Sequence, residues 1–193
     1  MEYNNIILSL LIFFPLVGIL FLSLSKYLGI TTEKGLKVST FVITLLQFLI
    51  SIPLFFKFDS GTTDIQFEHL VKWFPELGIS YHLGLDGISI LLVLLTTFIF
   101  PIAILCSWNV IKKGQKVFLC LMLLLESALI GTFASLDMIL FFIFWEAVLI
   151  PMYFIIGIWG TSNRIYAAIK FFIYTAFGSA LMLIAMMYLY FAH

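Results

Sequence analysis

Six stretches of this chain, at residues 6–24, 38–56, 88–107, 117–134, 138–158 and 171–191, are almost wholly apolar. Each is long enough to cross a bilayer, whose hydrocarbon core takes roughly 20 residues of helix. Alternation with period 2 is absent from all six, which argues against a membrane β-barrel. The first stretch does not read as a signal peptide. It is preceded by Glu2 and by no Lys or Arg, its apolar run is too long, and no small-residue cleavage site follows.

Composition narrows the class further. The chain is 63% hydrophobic and 10% charged, where a soluble domain carries about 25% charged residues. A water-soluble globule could not be covered with so few charges, so a soluble enzyme and a disordered chain are both excluded. Ten basic against ten acidic residues leave no basic surface for nucleic acid. Cys106 and Cys120 are too few and too isolated for a disulfide or metal framework. The expected fold is an all-α polytopic membrane protein, residues 1–193 forming one membrane domain in the bilayer.

Orientation follows from the loops. Lys26, Lys34, Lys37, Lys112, Lys113, Lys116, Arg164 and Lys170 fall on one side of the six spans, and Lys57 and Lys72 on the other. The basic side is expected in the cytoplasm, with both termini outside a bacterial inner membrane. The long outer segment at 57–87 alternates in its second half, with Ile79, Tyr81, Leu83 and Leu85 on one side, and a Pro75-Glu76-Leu77-Gly78 turn precedes it. This pattern predicts a short β-hairpin. A bare hairpin is only marginally stable, so the segment is expected to dock, with a neighbouring subunit as the favoured surface. Asp86 is a candidate N-cap for the third helix.

Two charges do not sit in loops or at helix ends: Glu126 and Glu146. An ionised carboxylate at mid-bilayer costs at least ~2.5 kcal/mol and marks a functional-site candidate. Glu126 lies ten residues before Leu136 and Glu146 ten residues after it. With a tight turn at Leu136, both carboxyls lie ~15 Å deep on antiparallel neighbours. Whether they face each other depends on helix rotation, which the sequence leaves open.

Pro151 adds to the case for Glu146. It has no N–H for the Ala147 carbonyl, and freed backbone groups at this depth are satisfied by neighbours or ordered water. Tyr153, seven residues beyond Glu146, shares roughly its face. Burial raises a carboxyl pKa and a nearby cation lowers it, so a glutamate alternately near and far from a lysine exchanges protons. Lys170 is the one span-associated cation, roughly 10–15 Å in depth from Glu146 by helix rise. It is either a pKa modulator acting through water or a side chain snorkelling to the inner interface. Glu126 is either a second relay or a protonated packing residue beside Ser127. His69 and His82 have no third ligand for a metal. Trp145, at mid-depth beside Glu146, is expected to pack against another helix. No phosphate loop, haem motif or iron–sulfur cysteine cluster is present, so no cofactor or metal is expected on this chain.

The run Phe141-Phe142-Ile143-Phe144-Trp145-Glu146-Ala147-Val148-Leu149-Ile150-Pro151-Met152-Tyr153-Phe154, continuing to Ile158-Trp159-Gly160, resembles the chain M family of bacterial NADH:quinone oxidoreductase (respiratory complex I). So do Arg164-Ile165-Tyr166-Ala167-Ala168-Ile169-Lys170-Phe171-Phe172-Ile173-Tyr174-Thr175 and Leu83-Gly84-Leu85-Asp86-Gly87-Ile88-Ser89. The resemblance runs along the whole chain.

It implies an antiporter-like membrane-arm subunit that moves protons while redox chemistry proceeds elsewhere. The family's essential fifth-helix acid falls on Glu146, a common fourth-helix glutamate on Glu126 and a sixth-helix lysine on Lys170. The chain would then be an enzyme subunit, a translocase without redox chemistry of its own. NADH, flavin, iron–sulfur clusters and quinone would reside on other subunits, and neighbouring antiporter-like subunits would be its partners. Family members are more than twice as long and carry two inverted five-helix repeats, of which this chain holds an incomplete first one. The lysine that pairs with the fifth-helix glutamate is not in it. Two further readings stand beside this one: a subunit of a multisubunit cation/proton antiporter or membrane-bound hydrogenase arm, and a truncated scaffold or assembly protein without transport.

Overall fold

A computed structural model describes residues 2–27 and 32–192, with the side chains of residues 2–5 and of Lys26 outside the described set. The six apolar stretches are helices: α1 (Glu2–Ser23), α2 (Glu33–Lys57), α3 (Ser89–Ser107), α4 (Gln115–Ala134), α5 (Met138–Trp159) and α6 (Arg164–Ala192). All six are long and apolar enough to cross a membrane. Between α2 and α3 lies the expected antiparallel hairpin, β1 (Gln66–Phe74) and β2 (Ile79–Leu85). The all-α polytopic expectation with one hairpin therefore holds.

The helix α4 is the centre of the bundle and packs on α1, α2, α3 and α5, whereas α6 packs extensively only on α5 among the described residues. Two apolar clusters fill the interior. One joins Leu8, Leu11, Leu54, Val93, Ile130 and Leu140 with Leu83 and Leu85 of β2. The other joins Leu22, Ile104, Phe118, Leu119 and Leu123 at the opposite end.

The buried face of α2 is unusually polar. Thr40, Thr44, Gln47 and Ser51, spaced three or four apart, are all fully buried. In hydrocarbon such groups need partners. The threonine and serine hydroxyls donate to carbonyls of their own helix, and Ser51 also pairs with Thr97 of α3 at 2.8 Å.

Gln47 acts across helices. Pro15 interrupts α1 and supplies no N–H to the Leu11 carbonyl four residues back. The Gln47 Nε2 donates to that carbonyl at 2.5 Å. Ser127 of α4 donates to the next carbonyl, Ile12, at 2.6 Å. The bend-prone point of α1 is thus held from two sides. Prolines also stand inside α2, α3 and α5, but no side-chain donor reaches the carbonyls they free, among the described residues.

The hairpin closes one end of the bundle. Its turn is a 3-10 segment, Pro75–Leu77, followed by Gly78 at φ 67°, a left-handed position that favours glycine. The inward side of β2 carries the alternation read from the sequence: Leu83 and Leu85 are fully buried, and Tyr81 hydrogen-bonds Ser9 of α1 at 3.0 Å. Burial holds the Tyr81 phenol above its usual pKa, with the Ser9 bond opposing part of that rise. His69 pairs with the same Ser9 at 3.0 Å, and His82 with Glu68 at 2.6 Å. A docking surface in a neighbouring subunit is not needed to seat this face, because the hairpin rests on its own helices. Its outer strand stays largely exposed.

Capping residues fix where the helices begin. Asp86 accepts from the Ile88 and Ser89 amides ahead of α3. The Ser89 bonds hold its carboxyl below the usual value. Asp137 caps α5 through the Ile139 and Leu140 amides, while its other oxygen accepts from the Ser80 amide and hydroxyl of β2. At the opposite end, Lys37 donates to the Trp108 carbonyl at 2.6 Å, Lys116 to that of Ser23 at 3.0 Å, and Trp159 to that of Lys113 at 2.8 Å. The three basic connections are therefore tied together on one face.

Candidate functional site

The turn between α4 and α5 makes the two helices antiparallel neighbours, and their contact face decides where the two glutamates point. Gly131 of α4 lies directly against the ring of Phe144; a methyl group there would run into it. Nearer the basic end, Phe118 meets Trp159 edge-on with ring centroids 5.2 Å apart. Glu146 follows Phe144 by two residues and is rotated about 200° from it. Glu126 precedes Gly131 by five residues, a rotation of about 140°. The carboxyls therefore turn away from the α4–α5 seam and do not face each other.

Their surroundings differ. Glu126 is fully buried, and neither of its oxygens has a hydrogen-bond partner in the described structure. Ser127, its sequence neighbour, is committed to Ile12 and does not serve it. A third orphan, the Gln47 Oε1, is buried in the same core.

Glu146 is half-buried, and its Oε1 is enclosed without a partner. Buried polar atoms without partners are rare in proteins and call for a specific explanation. Unlike the Leu11 carbonyl, the Ala147 carbonyl freed by Pro151 receives no side-chain donor among the described residues. An enclosed carboxyl oxygen thus sits one residue from an open acceptor, in a helix that continues through Pro151 to Trp159.

The remaining candidates are not gathered around Glu146. Lys170 is exposed and lies over the ring of Tyr166, 5.8 Å from its centroid, one turn back on its own helix. It stands two residues beyond Ala168, which is buried against α5, so it is rotated about 200° away from that helix. Tyr153 packs edge-on against Phe172 of α6, with centroids 5.6 Å apart; no side-chain hydrogen bond links it to Glu146.

Trp145 departs from expectation. It is 40% exposed and stacks on Phe141 of its own helix. The reason is rotational: it lies about 100° from Phe144 on one side and from Glu146 on the other, between the two faces that α5 packs. Asp137, which caps α5, lies outside the candidates named from the sequence. Its signal was available, an acid immediately ahead of a long apolar run, the usual N-cap pattern.

A six-helix bundle of this topology, with a hairpin between its second and third helices, is the fold of the antiporter-like membrane subunits. It superposes on a chain of the respiratory complex I of Thermus thermophilus with a TM-score of 0.76 and 28% identity, covering 92% of this chain and 34% of that one. It superposes on the Mrp complex of Dietzia sp. with a TM-score of 0.73 at 17% identity, over 95% of this chain and 19% of that one, a likeness of fold alone. Residues 9–132 match the family described as NADH-ubiquinone oxidoreductase chain 4, amino terminus. Residues 135–193 match that described as NADH:quinone oxidoreductase/Mrp antiporter, TM. The chain belongs to the chain 4 family. It is 42% identical over 186 residues to the NADH-quinone oxidoreductase subunit M of Rickettsia conorii, an alignment that takes in 95% of this chain and 38% of that protein.

Proposed function

We propose that this chain acts in a proton-translocating membrane-arm subunit of NADH:quinone oxidoreductase, with Glu146 as the acid that exchanges the proton. The observation that carries the reading is the enclosed, unpartnered Glu146 Oε1 beside the open Ala147 carbonyl. A carboxyl and a free acceptor one residue apart form a site for water in an otherwise apolar span, and a carboxyl with water is a proton relay. Glu126, fully buried on α4, serves as a second acid of the same subunit. Lys170, on the far face of α6, acts on Glu146 only at a distance, through the field of its charge.

Redox chemistry belongs to other subunits carrying NADH, flavin, iron–sulfur clusters and quinone, and neighbouring antiporter-like subunits are the partners in the membrane. The basic end of the bundle faces the cytoplasm and both termini the outside of a bacterial inner membrane. The ties among Lys37, Lys116, Trp159 and the backbone at that end support one common side for all three basic connections.

The Mrp-like fold supports a second reading, a cation/proton antiporter subunit; the identity to complex I relatives favours the first. Purification of the native complex through a tag on this chain separates them. The expected result is an assembly that oxidises NADH, reduces quinone and acidifies one side of a vesicle. Recovery of an antiporter assembly without NADH oxidation would overturn the proposal. An assembly in which this chain is present but proton movement is unchanged by its loss would leave only a scaffold role.

A further inference from the structure

The seam between α5 and α6 has a register that two contacts fix independently. Gly157 stands against Ala168, whose Cβ would lie 3.4 Å from a Cβ built on the glycine. Tyr153 stands against Phe172. In each pair one residue moves back along α5 as its partner moves forward along α6, by the same number of positions. The same register sets Glu146 opposite Ser179.

Rotation agrees with register. Glu146 lies seven residues before Tyr153 and eleven before Gly157, within about 20° of both around the helix. Ser179 lies seven residues after Phe172 and eleven after Ala168, again within about 20°. Ala168 and Ser179 are the buried residues of α6, at 1% and 5% exposure, and α5 is the helix that covers them. Within the α6 stripe at this depth, Ser179 supplies the polar atom.

We propose that Ser179 is the positioning residue of Glu146, a hydroxyl that serves the carboxyl in both of its protonation states. A serine hydroxyl has one hydrogen to donate and two lone pairs to accept with. In the structure its hydrogen goes to the Ala176 carbonyl at 3.0 Å, which leaves its lone pairs free; it is not hydrogen-bonded to Glu146, whose Oε1 has no partner, and the proposed pairing forms by side-chain rotation. Facing a protonated Glu146, Ser179 keeps that bond and accepts a hydrogen bond from the carboxyl O–H. Facing the carboxylate, it rotates about χ1 and donates to it, and the Ala176 carbonyl retains its helical amide. No atom is gained or lost at Ser179; it holds the acid in one place through the transfer.

This role rests on Glu146 being the relay acid, and the experiment keeps the two apart. In the assembled complex, Ser179→Ala, Ser179→Thr and Glu146→Gln are compared for protons moved per NADH oxidised across a range of pH. Ser179→Ala is expected to lower the ratio several-fold and to displace its pH profile, Ser179→Thr to restore both, and Ser179→Ala to add nothing to Glu146→Gln. In parallel, Glu146→Cys with Ser179→Cys is expected to cross-link as readily as Gly157→Cys with Ala168→Cys. If Glu146→Gln is impaired while Ser179→Ala pumps as the unmodified complex, or only the control pair cross-links, the proposal for Ser179 is overturned and the relay stands. If Glu146→Gln pumps normally, the relay itself falls and this role falls with it.

Discussion

Gln47 donates its side-chain amide to the Leu11 carbonyl at 2.5 Å, the acceptor that Pro15 leaves open in α1. One side chain thus repairs a helix break on its neighbour at a fully buried position. Gln47→Leu keeps the volume and removes the donor. We expect a loss of about 1–3 kcal/mol, the usual cost of leaving a buried polar group unsatisfied, read as a lower thermal midpoint of the complex in detergent. Full stability in that variant would show that the Leu11 carbonyl finds another donor.

Gly131 permits the closest approach of α4 to α5, with its bare backbone against the Phe144 ring. Gly131→Ala overpacks this point and is expected to cost about 1–3 kcal/mol. Adding Phe144→Leu should recover part of the loss. A Gly131→Ala variant as stable as the parent, or one that Phe144→Leu makes worse, would contradict the packing described.

Asp137 joins two elements, capping α5 with one oxygen and holding Ser80 of β2 with the other. Asp137→Ala should therefore cost about 0.5–2 kcal/mol, as lost caps do, and should also loosen the hairpin. Hydrogen exchange across residues 66–85 tests the second part: faster exchange there is expected, and unchanged exchange would mean that the apolar seat of Leu83 and Leu85 suffices.

Asp86 sets a pH dependence. Its carboxyl is held below the ordinary value of 3.8 by the Ser89 bonds. A group with a depressed folded pKa contributes stability that is complete above the ordinary value and is lost as pH falls through the folded one. The protection of the amides at the start of α3, taken relative to their unfolded exchange rates, should fall below about pH 4 and hold steady between pH 5 and 8. Asp86→Asn should flatten that response. An acid response unchanged by the substitution would assign it to other carboxylates.

The sequence made the helices and the hairpin legible because both depend on local pattern. Long apolar runs can only be buried or lie in lipid, and alternation at Tyr81, Leu83 and Leu85 can only put one side of a strand inward. Rotation was not legible. Outside the polar stripe of α2 at Thr40, Thr44, Gln47 and Ser51, apolar residues surround each span on every side, so no amphipathic face points a helix toward its neighbour. The turn of Glu146 away from α4, the outward turn of Trp145 and the seat of the hairpin on its own bundle all depend on contacts between elements such as Gly131 with Phe144. The Gln47–Leu11 bond escaped for the same reason, being a contact between helices that begins with a proline in one and ends with an amide in another.

The central claim is that the carboxyl of Glu146 carries the proton, and the ratio of protons moved to electrons transferred in the Glu146→Gln complex tests it most directly. Glutamine keeps the shape and cannot exchange a proton. The account predicts that assembly and uncoupled quinone reduction persist while the ratio drops well below that of the unmodified complex, and that Glu146→Asp retains part of it. An unchanged ratio in the Glu146→Gln complex would contradict the account.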